Sequence, residues 1–316
     1  MFQLLYLTFT EPRADQDAFA TFVRQLQATL QNREAQPDVA FDNAVEEAVS
    51  QGNPRAKSLS LAELPQLNLA KSYAFYKDRF ADASDFTFLF VGNIDPNTFK
   101  PLVERYIGGL PGNGRHETAR DVGIRPPAGI VEKQVVKGLD PRSEVSVVFT
   151  GQFDNDQAHR VLLRAMAEGL EGNLQRTLRE DLGGTYGVSV RPDFEERPYG
   201  HYEITINFAC DPARMDALIA QLFKDIAQYR MTGPSRAQTS DVKAALLRDL
   251  ETNSRDNGFL LNQLAYKYDF GEDPAEAFSL DKFYDQLTQP AIRDAAQMYL
   301  DTSHYVKVTL VPEARQ

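Results

Sequence analysis

Two stretches of this chain, 220 positions apart, carry the same pattern. Residues 67–91 read LNLAKSYAFYKDRFADASDFTFLFV, and residues 287–311 read LTQPAIRDAAQMYLDTSHYVKVTLV. Each describes a helix, a short turn and a strand. Leu67 stands in register with Leu287, Phe80 with Leu300, and Phe88 and Phe90 with Val308 and Leu310. Upstream of each stretch lie two successive amphipathic helices, starting near Asp15 and near Pro212. A supersecondary unit repeated at a fixed offset constrains the fold more than composition does, because both copies must bury the same faces. The expectation is an α+β chain of two similar domains, and 316 residues suit that number.

The copies are unequal in what precedes them. The second has 82 residues from Ile130 to the one before Pro212, whereas the first has 14 before Asp15. As duplicates, they imply that the first domain is truncated at its N-terminus by about 65–70 residues, most of its strands among them. The polar segment GNGRHETARDVGIRPPAG, residues 112–129, is rich in proline and glycine and reads as the interdomain linker. The expected domains are therefore 1–127 and 128–316.

Local signals place the elements. Helices are expected over 2–9, with Phe2, Leu5, Tyr6 and Phe9 on one face, over 15–31, over 38–50, and over 69–80 with Asn68 as N-cap. Residues 85–91 alternate as a strand. Asp95 and Pro96 start the next helix, and Pro101 inside it is expected to kink it or shift its start. The second domain reads as strands near 130–138 and 144–150 and a long helix over 156–179. Strands near 185–192 and 200–209 follow, then a helix after Asp211–Pro212 and another after TGPS. A last helix at 289–300 leads into the strand YVKVTLVP.

Much chemistry is excluded. A net charge of −11 argues against a nucleic-acid partner, and solubility alone accounts for it. No apolar run is long enough to span a membrane. The opening MFQLLYLTFTEPRAD lacks the basic leader and cleavage site of a signal peptide. One cysteine, Cys210, allows neither an internal disulfide nor a cysteine metal cluster. The four histidines, His116, His159, His201 and His304, show no metal-ligand spacing, and no phosphate-binding loop or nucleophile elbow is present. One stretch remains, LREDLGGTYGVSV at 178–190. The long helix ends near Arg179, Gly183 and Gly184 reverse the chain, and Tyr186, Val188 and Val190 are expected on one face of the following strand. A forked cation and a phenol hydroxyl there would suit a peptide carbonyl or its oxyanion. An exposed ion pair and a core-edge aromatic are the plainer alternative.

The chain resembles the C-terminal half of the pitrilysin/insulysin family of inverted zinc metallopeptidases, in its bacterial periplasmic branch. LREDLGGTYGVSV, FLFVGNIDPNTFKPLVERYIGGLP, CDPARMDALI and the closing helix and strand carry the resemblance. It implies an architecture of four α+β domains, each a mainly antiparallel sheet covered by helices, with this chain as the third, truncated, and the fourth. It implies an N-terminal half, or a separate catalytic chain, that binds zinc through H-x-x-E-H and a further glutamate. That motif is absent from this sequence, so the segment alone is expected to be inactive and to bind no metal. The resemblance assigns Tyr186 a catalytic role at the scissile carbonyl or oxyanion, and Arg179 a role in holding the peptide substrate or orienting Tyr186. It also implies a periplasmic location. A non-catalytic structural or processing-partner subunit of the same family is the alternative, and a free peptide-binding module a third reading.

Overall fold

The structure is a computed structural model, and it describes residues 1–314. In chain order the elements are α1 (Phe2–Thr10), α2 (Gln16–Ala35), α3 (Pro37–Val49), α4 (Leu69–Phe80), α5 (Pro96–Tyr106), β1 (Ile130–Val136), β2 (Ser143–Gln152), α6 (Gln157–Leu174), β3 (Thr185–Glu195), β4 (His201–Cys210), α7 (Met215–Thr232), α8 (Arg236–Asn253), α9 (Asn257–Phe270), α10 (Asp281–Tyr284), α11 (Gln289–Tyr299) and β5 (Tyr305–Val311). The chain is α+β. Capping chemistry sets several helix starts. The Asn68 side chain accepts from Lys71 N–H, Asp95 from Asn97 N–H, and Asp156 from His159 N–H. Pro101 lies inside α5, whose start stays at Pro96.

Packing divides the chain into two compact units, each built from three segments. The first comprises Met1–Arg33, Leu59–Ala119 and Asn253–Phe278; the second comprises Glu34–Ser58, Arg120–Thr252 and Ser279–Gln316. This grouping differs from a single division near residue 127 in one systematic way. Shifted by the repeat offset of 220, the segment Glu34–Ser58 falls on 254–278, which is grouped with the other unit. The two copies thus exchange equivalent segments.

The first unit is held by aromatic rings. Phe9 meets Phe86 at 4.9 Å and Phe80 at 5.0 Å between ring centroids, while Phe2 meets Phe99 at 5.2 Å and Phe90 at 5.7 Å. Phe86, Phe88 and Phe90 all meet rings of α1, so the alternation seen in the sequence is real. The strand predicted at 85–91 nevertheless does not form. A strand is defined by its ladder, and no described residue of this unit offers one to pair with.

The second unit contains a five-stranded sheet in the order β1-β5-β2-β4-β3, parallel between β1 and β5 and antiparallel elsewhere. Its two faces are covered differently. On one, Val147, Phe149, Ile204, Ile206, Val188 and Val190 join Leu170, Leu222 and Ile292 from α6, α7 and α11 in the main core. On the other, α3 lays Phe41 and Ala44 over Val148, Val306, Val308 and Leu310. Burying an aliphatic side chain of this kind stabilises by about 1.5–3 kcal/mol, and the strictly alternating β4 fixes which residues receive it. Helix α9 was not expected, because its apolar residues do not gather on one face.

Candidate functional site

The site begins where α6 ends. The sequence suggested one continuous helix to Arg179, but α6 stops at Leu174 and passes into a π-helical turn, Gln175–Asp181. Its wider spacing is seen where Leu182 N–H donates to Thr177 C=O at 3.1 Å, five residues back. Arg179 sits on this turn and is exposed. Gly183 then adopts φ +56°, in the left-handed region, and its N–H donates to Arg179 C=O at 2.9 Å. Gly184 is needed for another reason. A Cβ there would lie 2.4 Å from Leu218 Cδ2.

Past the glycines, β3 opens with a bulge. Thr185 pairs with Cys210 and Val188 with Phe208, so Tyr186 and Gly187 together oppose the single residue Ala209. The extra residue changes which way Tyr186 points. Tyr186 was expected to share a face with Val188 and Val190. Those two are buried in the core, whereas Tyr186 is 95% exposed. The bulge is tied down by Thr185. Its buried hydroxyl lies 2.6 Å from Ala209 C=O and 2.9 Å from Gly187 C=O, and accepts from Gly187 N–H at 3.2 Å. Helix α6 and the π-helical turn after it brace the outer side of β3. Gln175 Nε2 donates to Val188 C=O at 2.5 Å, and Glu171 Oε2 accepts from Val190 N–H at 2.8 Å. These side chains occupy backbone groups that an edge strand would otherwise leave open.

Arg179 and Tyr186 therefore border one short turn, both exposed, and neither side chain has a hydrogen-bond or ion-pair partner among the described residues. Thr185, Glu171 and Gln175 were not singled out from sequence. Gly187 was the available signal, since a lone glycine in a strand pattern marks a bulge. Opposite Thr185, the Cys210 thiol is pushed up to about 11 by burial and then by the Asp211 carboxylate, so it stays protonated and is a poor nucleophile.

Zinc does not fit these residues. His304 accepts from Gly129 N–H at 3.1 Å and meets Thr150 Oγ1 at 3.3 Å. His201 Nδ1 lies 3.1 Å from Tyr199 C=O, His159 Nδ1 lies 2.9 Å from Asp156, and His116 Nδ1 lies 3.3 Å from Asp85. Among the described residues no three His, Cys, Asp or Glu side chains group as metal ligands, and no helix is long and apolar enough to cross a membrane.

Comparison with known proteins places this chain in a family. The profile of the Peptidase M16 inactive domain matches residues 66–246. The chain is 24% identical over 285 residues to a zinc protease PQQL-like protein of Arabidopsis thaliana, covering 84% of this chain and 29% of that protein. It is 23% identical over 287 residues to the probable zinc protease PqqL of Escherichia coli, covering 86% of this chain and 30% of that one. Among solved structures, the periplasmic protease PqqL of Escherichia coli superposes with a TM-score of 0.84 at 22% identity, over 99% of this chain and 34% of that chain. The M16 inactive domain from Pseudomonas fluorescens superposes with a TM-score of 0.79 at 18% identity, over 100% of this chain and 75% of that one. This chain spans under a third of the length of the curated relatives it matches. The resemblance read from LREDLGGTYGVSV and its companions is borne out: the chain belongs to the M16 peptidase family, through its inactive domain.

Proposed function

We propose that this chain is the substrate-contacting C-terminal half of a zinc-dependent endopeptidase acting on peptides or small unfolded proteins. The zinc would be held by an N-terminal half of the same polypeptide or by a separate catalytic chain. The observation that carries the reading is Tyr186, held 95% exposed at a bulge with its hydroxyl free. In this role Tyr186 donates to the scissile carbonyl oxygen as negative charge builds on it. Arg179 holds substrate backbone or orients Tyr186, its guanidinium offering several donors in a fixed fork. The peptide itself adds as a strand to a sheet edge in the zinc-bearing half. Residues 1–127 and 128–316 are then the third and fourth of four related domains. A periplasmic location is part of the proposal, supported by the solved Escherichia coli protein, which is a periplasmic protease.

The test is reconstitution. The purified chain is assayed on a quenched peptide with zinc, alone and mixed with the upstream part of its polypeptide. Hydrolysis only in the mixture is expected. Inactivity of a mixture shown to associate would remove the reading. Within the active mixture, Tyr186→Phe is expected to lower kcat about 10²-fold or more, as loss of one oxyanion donor does. An unchanged kcat would take Tyr186 out of the mechanism.

A further inference from the structure

A cavity of about 620 Å³ opens within the second unit, on the sheet face away from α6. The pleat of β2 shows what lines its floor. Val145, Val147 and Phe149 point into the main core, so Ser146 and Thr150 point the other way. Across the ladder Ser146 stands opposite Asn207, and Thr150 opposite Glu203. Phe41 and Val45 of α3, with Ile124, form an apolar wall above this polar floor.

Two features of the floor point to a ligand. Ser146 is 1% exposed, and its Oγ has no hydrogen-bond partner; Asn207 Oδ1 is likewise buried and unpaired. Buried polar atoms are normally satisfied, and Asn207 Oδ1 can only accept, so what the floor lacks is a donor. Charge points the same way. Asp42, Glu46, Glu195 and Glu203 line the cavity against one arginine, Arg120, and His201. Thr205 donates to Glu203 at 3.0 Å and Ser58 to Glu46 at 3.0 Å, which leaves further carboxylate lone pairs open. The Glu203 carboxyl is held above the usual carboxylate range, first by burial and then by Asp193 and Glu195, with Thr205 and His201 opposing. A cation placed beside it would relieve that penalty.

We propose that this cavity takes the basic side chain of a bound peptide, arginine above lysine. The alkyl stem lies along Phe41 and Val45, and the head reaches Glu203, Asn207 and Ser146. Long basic side chains bury their stems on apolar surface in this way, and a guanidinium brings enough donors for a carboxylate and both unpaired oxygens. The proposal needs only the second unit and stands apart from the reading of Arg179 and Tyr186.

A blocked tripeptide with central arginine is titrated into the chain by calorimetry, beside its citrulline and leucine counterparts. Citrulline keeps the size and loses the charge. Saturable binding of the arginine peptide is expected, with the neutral peptides at least about tenfold weaker. Glu203→Gln should weaken the arginine peptide by about tenfold, and Asn207→Ala should weaken it too. Ser146→Ala separates a ligand role from a structural one. Removing an orphaned hydroxyl should leave the melting temperature unchanged or raised while affinity falls. Equal binding of the three peptides, no saturable binding, or folded variants that bind as the parent does would overturn the proposal. Loss of binding when the upstream polypeptide is added would overturn it as well, since its own segment would then fill the cavity.

Discussion

At the scale of single residues, the candidate site depends on Thr185 more than on the tyrosine it presents. At the bulge the Ala209 carbonyl and the Gly187 amide both meet the Thr185 hydroxyl. Thr185→Val keeps the β-branched shape and removes the oxygen that both part-buried backbone groups meet. It is expected to cost about 1–3 kcal/mol in denaturant unfolding and, in an active assembly, to lower kcat by misplacing Tyr186. A stable variant with full kcat would show that the bulge does not depend on this hydroxyl. Asp82 plays a comparable part in the first unit. The Ser84 hydroxyl and N–H, and then the N–H groups of Arg115 and Asn113, hold its carboxylate down at about 2 from an ordinary 3.8. The folded value is the lower one, so this stabilisation is fully present above about 3.8 and is lost as pH falls through about 2. Asp82→Asn should lower the melting temperature at neutral pH, and the gap to the parent should close as pH drops toward 2. A gap that stays constant across that range would refute the assignment.

At the scale of elements, α9 carries a buried charge. Lys267 is fully buried, with its ammonium on Glu272 and on Glu276 at 3.1 Å. Lys267→Ala is expected to destabilise by about 1.5–3 kcal/mol, since Glu272 and Glu276 each lose a charged hydrogen bond from the buried ammonium. Chemical denaturation reads this directly, and a loss within about 0.5 kcal/mol would mean that water reaches the pair. The sequence showed those helices whose caps and one-sided apolar patterns agree, such as α4 after Asn68 and α5 after Asp95. It did not show α9, whose apolar residues ring the helix, nor the π turn that carries Arg179, because a one-residue change of helical spacing leaves no compositional trace. The reversal at Gly183 was legible, as was the pair that flanks it. The outward turn of Tyr186 was not, because alternation assumes an unbroken ladder and the bulge breaks it. Residues 85–91 failed for the converse reason. Their pattern is right, but a strand is a property of two segments, and a pattern reports on one.

At the scale of the whole molecule, the exchange of Glu34–Ser58 against 254–278 ties the repeat to the packing. The chain passes between the units five times, at 33/34, 58/59, 119/120, 252/253 and 278/279. Neither unit can lose its structure without disturbing the segment it shares with the other copy's stretch of chain. Calorimetry should therefore show one unfolding transition, with calorimetric and van't Hoff enthalpies equal. Two resolved transitions would argue that the borrowed segments contribute little. The same exchange bears on what a single break in the backbone does. Residues 128–316 made alone would lack α3, leaving Val148, Val306 and Val308 without the cover that Phe41 and Ala44 provide. Residues 1–127 would hold that cover with nothing to lay it on, and would miss the counterpart segment in return. Each fragment would display an apolar face whose matching piece resides on the other, so the two should aggregate when kept apart and recover their fold when combined, as complementing fragments of one protein.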